Sequence, residues 1–492
     1  MARPGCKTRI LPGLVLFIIV SLPCFAQQGS IDAAKKAFSR GDTQAALEML
    51  RRLRSGAPDQ PVLIESLSLS VRYSLAAGDP YKASYFLQLL QEAGPGSAAA
   101  FESGLAVAGY YYDKRSWRAA LEYFGRAIDG FKEGTSDQRK ALDLALMRSA
   151  ELSLYFAEDP ASARDYFRRI VPADLPESES LLYRELRMRL LWSVISPTRL
   201  GLDDANVSSL KVDGDDLWVG TWNGGVSRYS VSASRADPFP LPAFSRSIEI
   251  ADRRVWIGTA EGLAWYGKSS GRWGTEEDFQ SPAPRKVQAV RQAAGSLYVG
   301  TLGDGLFRLG DNGWEQVSDG DLPGKFITCI ASDPARPRLF IGTMNLGLVI
   351  YDPQTGEMST LSETVPAFTS ENIGTVLPDS EGRVWIGTYG DGLSVWSPGT
   401  GTLRHFTKAT KEISDDWVLA SCETDRALYF GSFGGGVSVY VKETESWKRL
   451  GIRDGLASLD IAAIAWRRPY VFFGTLGAGV SVYEEDSDGP KP

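Results

Sequence analysis

Histidine is almost missing from this chain: His405 is the single one among 492 residues. Sites that need several imidazoles, whether for a metal or for acid–base chemistry, are therefore excluded. His405 itself falls in a polar stretch, residues 403–406, where a solvated strand edge accounts for it. Cysteine is scarce too. Of four, Cys6 and Cys24 precede residue 27, which leaves Cys329 and Cys422. Those two sit in non-neighbouring units of the repeat described below, beyond the ~4–7 Å Cα separation of a disulfide. Both read as buried free thiols. Basic excess is lacking: 53 Lys and Arg stand against 60 Asp and Glu, a net charge of −7. That argues against nucleic acid or an anionic membrane as partner. Nucleophile-elbow, HExxH and P-loop motifs are missing. Asp213, Asp215 and Asp216 lack the spacing of a calcium loop and read as a β-turn. No metal, no cofactor and no enzymatic activity are expected.

Long apolar runs are also lacking, save one at the start. Arg3, Lys7 and Arg9 form a positive stretch, residues 10–20 an apolar core, and Cys24-Phe25-Ala26 puts small residues where a signal peptidase reads. Residues 1–26 are read as a secretory signal cut after Ala26, which predicts a periplasmic or secreted protein. An acylated Cys24 and an uncleaved anchor are the alternatives. Membrane contact is expected only through such an anchor or through a partner.

What the chain has is repetition, of two kinds. Residues 30–192 are rich in Ala, Leu, Arg and Glu, with apolar residues at three- and four-residue steps. Gly41-Asp42 leads to Ala46, Leu50, Leu53 and Pro58; Gly78-Asp79 leads to Ala83, Leu87, Leu90 and Pro95. Looser copies run Ala120, Phe124, Ala127 and Ala163, Phe167, Ile170. Residues at these steps share one helix face, and the small alanine lets two helices of a hairpin approach closely. This resembles the tetratricopeptide repeat, although the Trp and Gly usual at the start of that family's first helix are missing. Residues 177–189 continue the helical pattern, with Leu181, Leu182, Leu186 and Leu190 on one side.

From residue 196 to 485 a second phrase recurs seven times: an aromatic–aliphatic pair, Gly-Thr, a short turn, Gly–aliphatic and an aromatic. Its first glycines are Gly220, Gly258, Gly300, Gly342, Gly387, Gly431 and Gly474, spaced by 38 to 45 residues. Such a period in β-rich units marks a propeller with one four-stranded blade per repeat. The marks of WD40 and kelch units are missing. The phrase resembles the two-component regulator propeller repeat, which implies an extracytoplasmic sensing or binding role. The expected fold class is α+β multidomain: a TPR-like α-helical array, then an all-β seven-bladed β-propeller, then a polar tail at 486–492. The seventh unit lacks an outer strand, and residues 191–195 are expected to supply it, with a helix ending there as the alternative.

The candidate site is the turn after Gly-Thr. Its first position carries Trp222, Leu302, Met344, Tyr389, Phe433 and Leu476, with Ala260 in the shortened second unit. Equivalent propeller positions share a face, so these would form an apolar ring beside Asn223, Asn345, Asp304 and Asp391. Aromatics with amides and carboxylates suit sugars or peptide ends; the alternative is packing between blades. Tyr110, Tyr111, Tyr112 and Trp117 are the corresponding partner-binding candidates on the helices, against a packing role. The composition and both repeats point to a non-catalytic exported scaffold recognising a protein or peptide. The alternatives are a sensor of an oligosaccharide-like ligand and a propeller lyase or glycosidase. A glycosidase would need two carboxylates ~5–9 Å apart, and Asp304 and Asp391 belong to different blades.

Overall fold

A computed structural model describes residues 15–485 except 133, 240–243, 252 and 281–284, with side chains from residue 27 other than 174 and 280. Residues 1–14 of the expected signal and the tail at 486–492 lie outside it. The helix Val15–Ser39 runs through the expected cleavage point. Two compact units are present, one ending at Leu186 and one starting at Arg187.

The first unit is a row of four helix hairpins: α1 (Val15–Ser39) with α2 (Thr43–Ser55), α3 (Gln60–Ala76) with α4 (Pro80–Ala93), α5 (Ala98–Asp113) with α6 (Trp117–Gly130), and α7 (Ser136–Tyr155) with α8 (Pro160–Arg168). Each short turn is built locally. Asp42, Asp79 and Asp159 cap the second helix by accepting N–H bonds from its first turn. The position before the cap is left-handed, taken by Gly41 and Gly78 in the first two hairpins and by Arg115 and Glu158 in the others. The alanine predicted at each interface is fully buried: Ala46, Ala83, Ala120 and Ala163. Leu50, Leu87, Phe124 and Phe167, four residues on, are buried beside them. First helices also pack on one another, α1 on α3, α3 on α5 and α5 on α7, so the hairpins stack as a TPR-like array. The segment after them departs from expectation. A 3₁₀ turn at Glu177–Glu179 precedes the helix Ser180–Leu191, and Leu181 is exposed while Leu186 and Leu190 are buried. Leu181 lies five residues before Leu186, about 140° round the helix, whereas Leu186 and Leu190 are four apart and share a side.

The second unit holds seven four-stranded antiparallel sheets. Blades 1 to 6 span residues 207–239, 245–275, 287–317, 327–360, 373–406 and 418–450. Blade 7 takes three strands from 461–484 and its outer strand from Trp192–Ile195, as expected. Trp192 pairs with Tyr483 and Ile195 with Val480. First strands of successive blades are neighbours all the way round, the seventh packing back on the first, so they form the inner wall of a closed ring.

Two devices shape this wall. The glycine of each Gly-Thr is a notch that receives the next blade: a Cβ on Gly300 would lie 2.4 Å from Ile327 Cγ2, and one on Gly474 2.6 Å from Val207 Cγ1. The second is a β-bulge near the start of every first strand, as between Val207 and Ser209 or Ile461 and Ala463. One extra residue changes the strand's parity. Residues three apart then point the same way: Val287 and Val290 both meet Gly258, as Ile327 and Ile330 meet Gly300. The extra residues are Ser208, Arg246, Gln288, Thr328, Gly374, Leu419 and Ala462. Core packing lies between blades, as where Trp218 and Val226 of blade 1 meet Ile248, Ile257 and Tyr266 of blade 2.

Candidate functional site: a propeller rim and its axis

The hydroxyl of Gly-Thr sets the geometry of the turn. Thr388 Oγ1 donates to the Gly392 carbonyl at 2.9 Å and accepts the Asp391 N–H at 2.9 Å. Thr301 does the same with Gly305 and Asp304, and Ser432 donates to Gly436 in blade 6. The backbone after the hydroxyl then reaches two blades. Met344 N–H bonds the Phe326 carbonyl of its own blade, and Asn345 N–H bonds the Glu371 carbonyl of the next. Gly479 N–H closes the circle on Ala205. Among the described residues five such turns, those of blades 3 to 7, bond to the next blade, and all seven share one face with the starts of the first strands.

The side chains they carry are divided. Trp222, Met344 and Phe433 are exposed, the last by 49 %. Tyr389, Leu302, Leu476 and Ala260 are half-buried. The clamp between blades is thus made by backbone, which leaves several of these side chains on the surface. Asn223 and Asn345 are exposed; Asn223 N–H bonds Asp204 Oδ2 at 2.7 Å, and Asn345 holds a left-handed φ of 92°. Asp304 and Asp391 serve the turn through their N–H groups, while their carboxylates are exposed. The sequence reading missed a second set of rim residues, those immediately ahead of each first strand. Phe326 and Trp417 are exposed there, and Phe244 is half-buried. They precede the apolar plug of each blade at the repeat spacing, which was the available signal. Trp417 joins the rim aromatics: it lies edge-on to Tyr389 at 6.1 Å and 6.3 Å from Phe433. On another side Trp222 meets Phe244 at 5.4 Å.

The axis below this rim is charged. Arg246 of blade 2 and Tyr389 of blade 5 feel each other's charge. Blades 2 and 5 are not adjacent, so the two meet only across the central space. Desolvation pulls the Arg246 guanidinium down from its ordinary pKa, although the residue as a whole is exposed. Burial, and then Cys329, push the Tyr389 phenol up.

Asp391 also borders a cleft of about 530 Å³ with Ser394, His405, Thr407 and Asp416. Ser394 Oγ lies 3.0 Å from His405 Nδ1. Ser394 is buried on its strand, and equivalent serines bind loops: Ser227 Oγ donates to Leu200 O, and Ser481 Oγ accepts from Ala457 N. Asp416 accepts the Lys408 N–H at 2.7 Å. Cys329 and Cys422 are free. Among the described residues no group of three His, Cys, Asp or Glu is placed to hold a metal, and no helix is long and apolar enough to cross a membrane.

On the helices Tyr110, Tyr111, Tyr112 and Trp117 are half-buried and touch neighbouring aromatics. Tyr111 stacks on Tyr123 at 5.4 Å, and Trp117 stacks on Phe156 at 4.6 Å. Tyr112 O–H donates to Glu151 at 2.8 Å, and Arg148 joins Glu151 to Glu179. Burial first, and then Glu151, push the Tyr112 phenol up to about 12. Tyr110 meets Tyr111 edge-on.

Residues 367–390, which run through the start of blade 5 to its turn, match the family model described as "Two component regulator propeller". The chain carries two-component regulator propeller repeats. A search of curated proteins finds no match to it. Solved structures similar to this regulator propeller include two from B. thetaiotaomicron. One, an extracellular domain assigned to a one component system, is 22 % identical over 60 % of this chain, with a TM-score of 0.50. The other, an extracellular domain assigned to a hybrid two component system, is 16 % identical over 60 %, also with a TM-score of 0.50. The likeness spans 40 % and 42 % of those chains, about two fifths of their length. At these identities it is a likeness of fold.

Proposed function

We propose that this is an exported, non-catalytic recognition protein whose propeller rim binds a ligand, a sugar or a peptide end, and whose helical array serves a partner protein. The observation that carries the reading is the rim itself. Backbone clamps join the blades without using the side chains of Met344 and Phe433, and Trp222 and Trp417 also stand exposed on the rim. Aromatic surface unspent on folding, beside the amides of Asn223 and Asn345, suits a partly apolar ligand. The resemblance to extracellular regulator domains favours sensing as the purpose of that binding, with the signal leaving through a partner. Trp417→Ala combined with Phe433→Ala should lower affinity for a ligand found by glycan and peptide array at least tenfold, with the melting temperature held within a few degrees. Unchanged binding by that double variant would refute the rim.

A further inference from the structure

The bulge in each first strand releases one residue from both blade faces. Most of the seven are neutral or settled: Ser208 Oγ donates to the Gly220 carbonyl at 3.2 Å, and Thr328 Oγ1 to Cys329 Sγ at 3.8 Å. Arg246 is the charged one. Among the described residues it has no carboxylate and no hydrogen-bond acceptor. Its guanidinium lies 3.9 Å from the centroid of the rim residue Phe244, within electrostatic reach of Tyr389. Gln288, at the same position of the neighbouring blade, also has no side-chain partner among the described residues and is half-buried. Arg246 is exposed, so water can solvate it, and its forked donors stay open to a ligand. Other cations of the same wall are already paired: Lys211 meets Glu249 at 2.6 Å, and Arg467 meets Asp215 at 2.8 Å.

We propose that Arg246 is the anion receptor of the propeller, holding the carboxylate of a small ligand whose apolar part rests on the rim. Guanidinium and carboxylate match as two parallel N–H···O bonds. The idea rests on the rim reading and adds the ligand's chemical class. Two sources supply such a group, a hexuronate and a peptide C-terminus, and the probes separate them.

The test is calorimetric titration of the full chain with a hexuronate disaccharide and its carboxyl-reduced counterpart, and with a short aromatic peptide in free-acid and amidated forms. One acid probe should bind at least tenfold tighter than its neutral counterpart. Arg246→Met, which keeps the contact with Phe244, should erase that difference and leave the neutral probe unchanged; Arg246→Lys should restore part of it. Equal binding of acid and neutral forms by the wild type, or an acid preference surviving in Arg246→Met, would overturn the proposal, and Arg246 would then be a cap stacked on Phe244. If Trp417→Ala leaves acid binding intact while Arg246→Met removes it, the rim reading fails and the axial site stands.

Discussion

Asp379 shows how much one side chain can hold. It is buried, and its carboxylate accepts Trp385 Nε1 at 2.8 Å, Arg383 Nε at 2.7 Å and the N–H groups of Glu381 and Arg383. Trp218, which fills the corresponding place in blade 1, has no partner for its Nε1 among the described residues. Replacing Asp379 by Ala orphans an indole N–H and leaves the half-buried Arg383 guanidinium with Glu381 alone. The expected loss is about 2–4 kcal/mol, read as a fall in the urea midpoint of the propeller. Tyr112 makes a prediction of another kind. Its phenol is held near 12, above the ordinary 10.0, so the neutral form is favoured by folding. That contribution is complete below about pH 10 and is lost as pH rises through about 12. Thermal melts should show the helical unit of wild type weakening across that window more than Tyr112→Phe. The tyrosine run was visible in the sequence. Its use was not, because Glu151 and Arg148 come from another hairpin.

Among the elements, the outer strand Trp192–Ile195 has the largest consequence. Trp192 lies 4.8 Å from Tyr483 and 5.8 Å from Phe473, and it sits against Gly455, where a Cβ would come within 2.3 Å of its ring. Trp192→Ala should cost about 3–5 kcal/mol. It also loosens the strand that covers the edge of blade 7, and bare edges invite association. Size-exclusion chromatography of this variant should show oligomers that wild type lacks. The helix hairpins were readable in advance, because Gly-Asp, alanine and leucine act within one short stretch of chain. The bulge was not. Apolar residues three apart, such as Val207 and Leu210, fit no strand period until an extra residue restores the parity.

At the scale of the molecule, closure is what matters. A ring whose seam is hydrogen-bonded has no terminal blade from which to fray, so the propeller should unfold in one transition by near- and far-ultraviolet circular dichroism. Trp192→Ala should separate the two signals; coincident curves in that variant would mean that the seam is not the weak point. Repeat period, blade number, helix pairing and the need for a borrowed strand were all determined by the sequence alone. Each follows from local periodicity, which neighbouring residues impose on one another. The tertiary structure decided which rim side chains stay exposed, that Trp417 and Phe326 belong with them, and that Arg246 meets Tyr389 across the axis. Those depend on residues from different blades converging on one point, and no spacing along the chain encodes the distance between them.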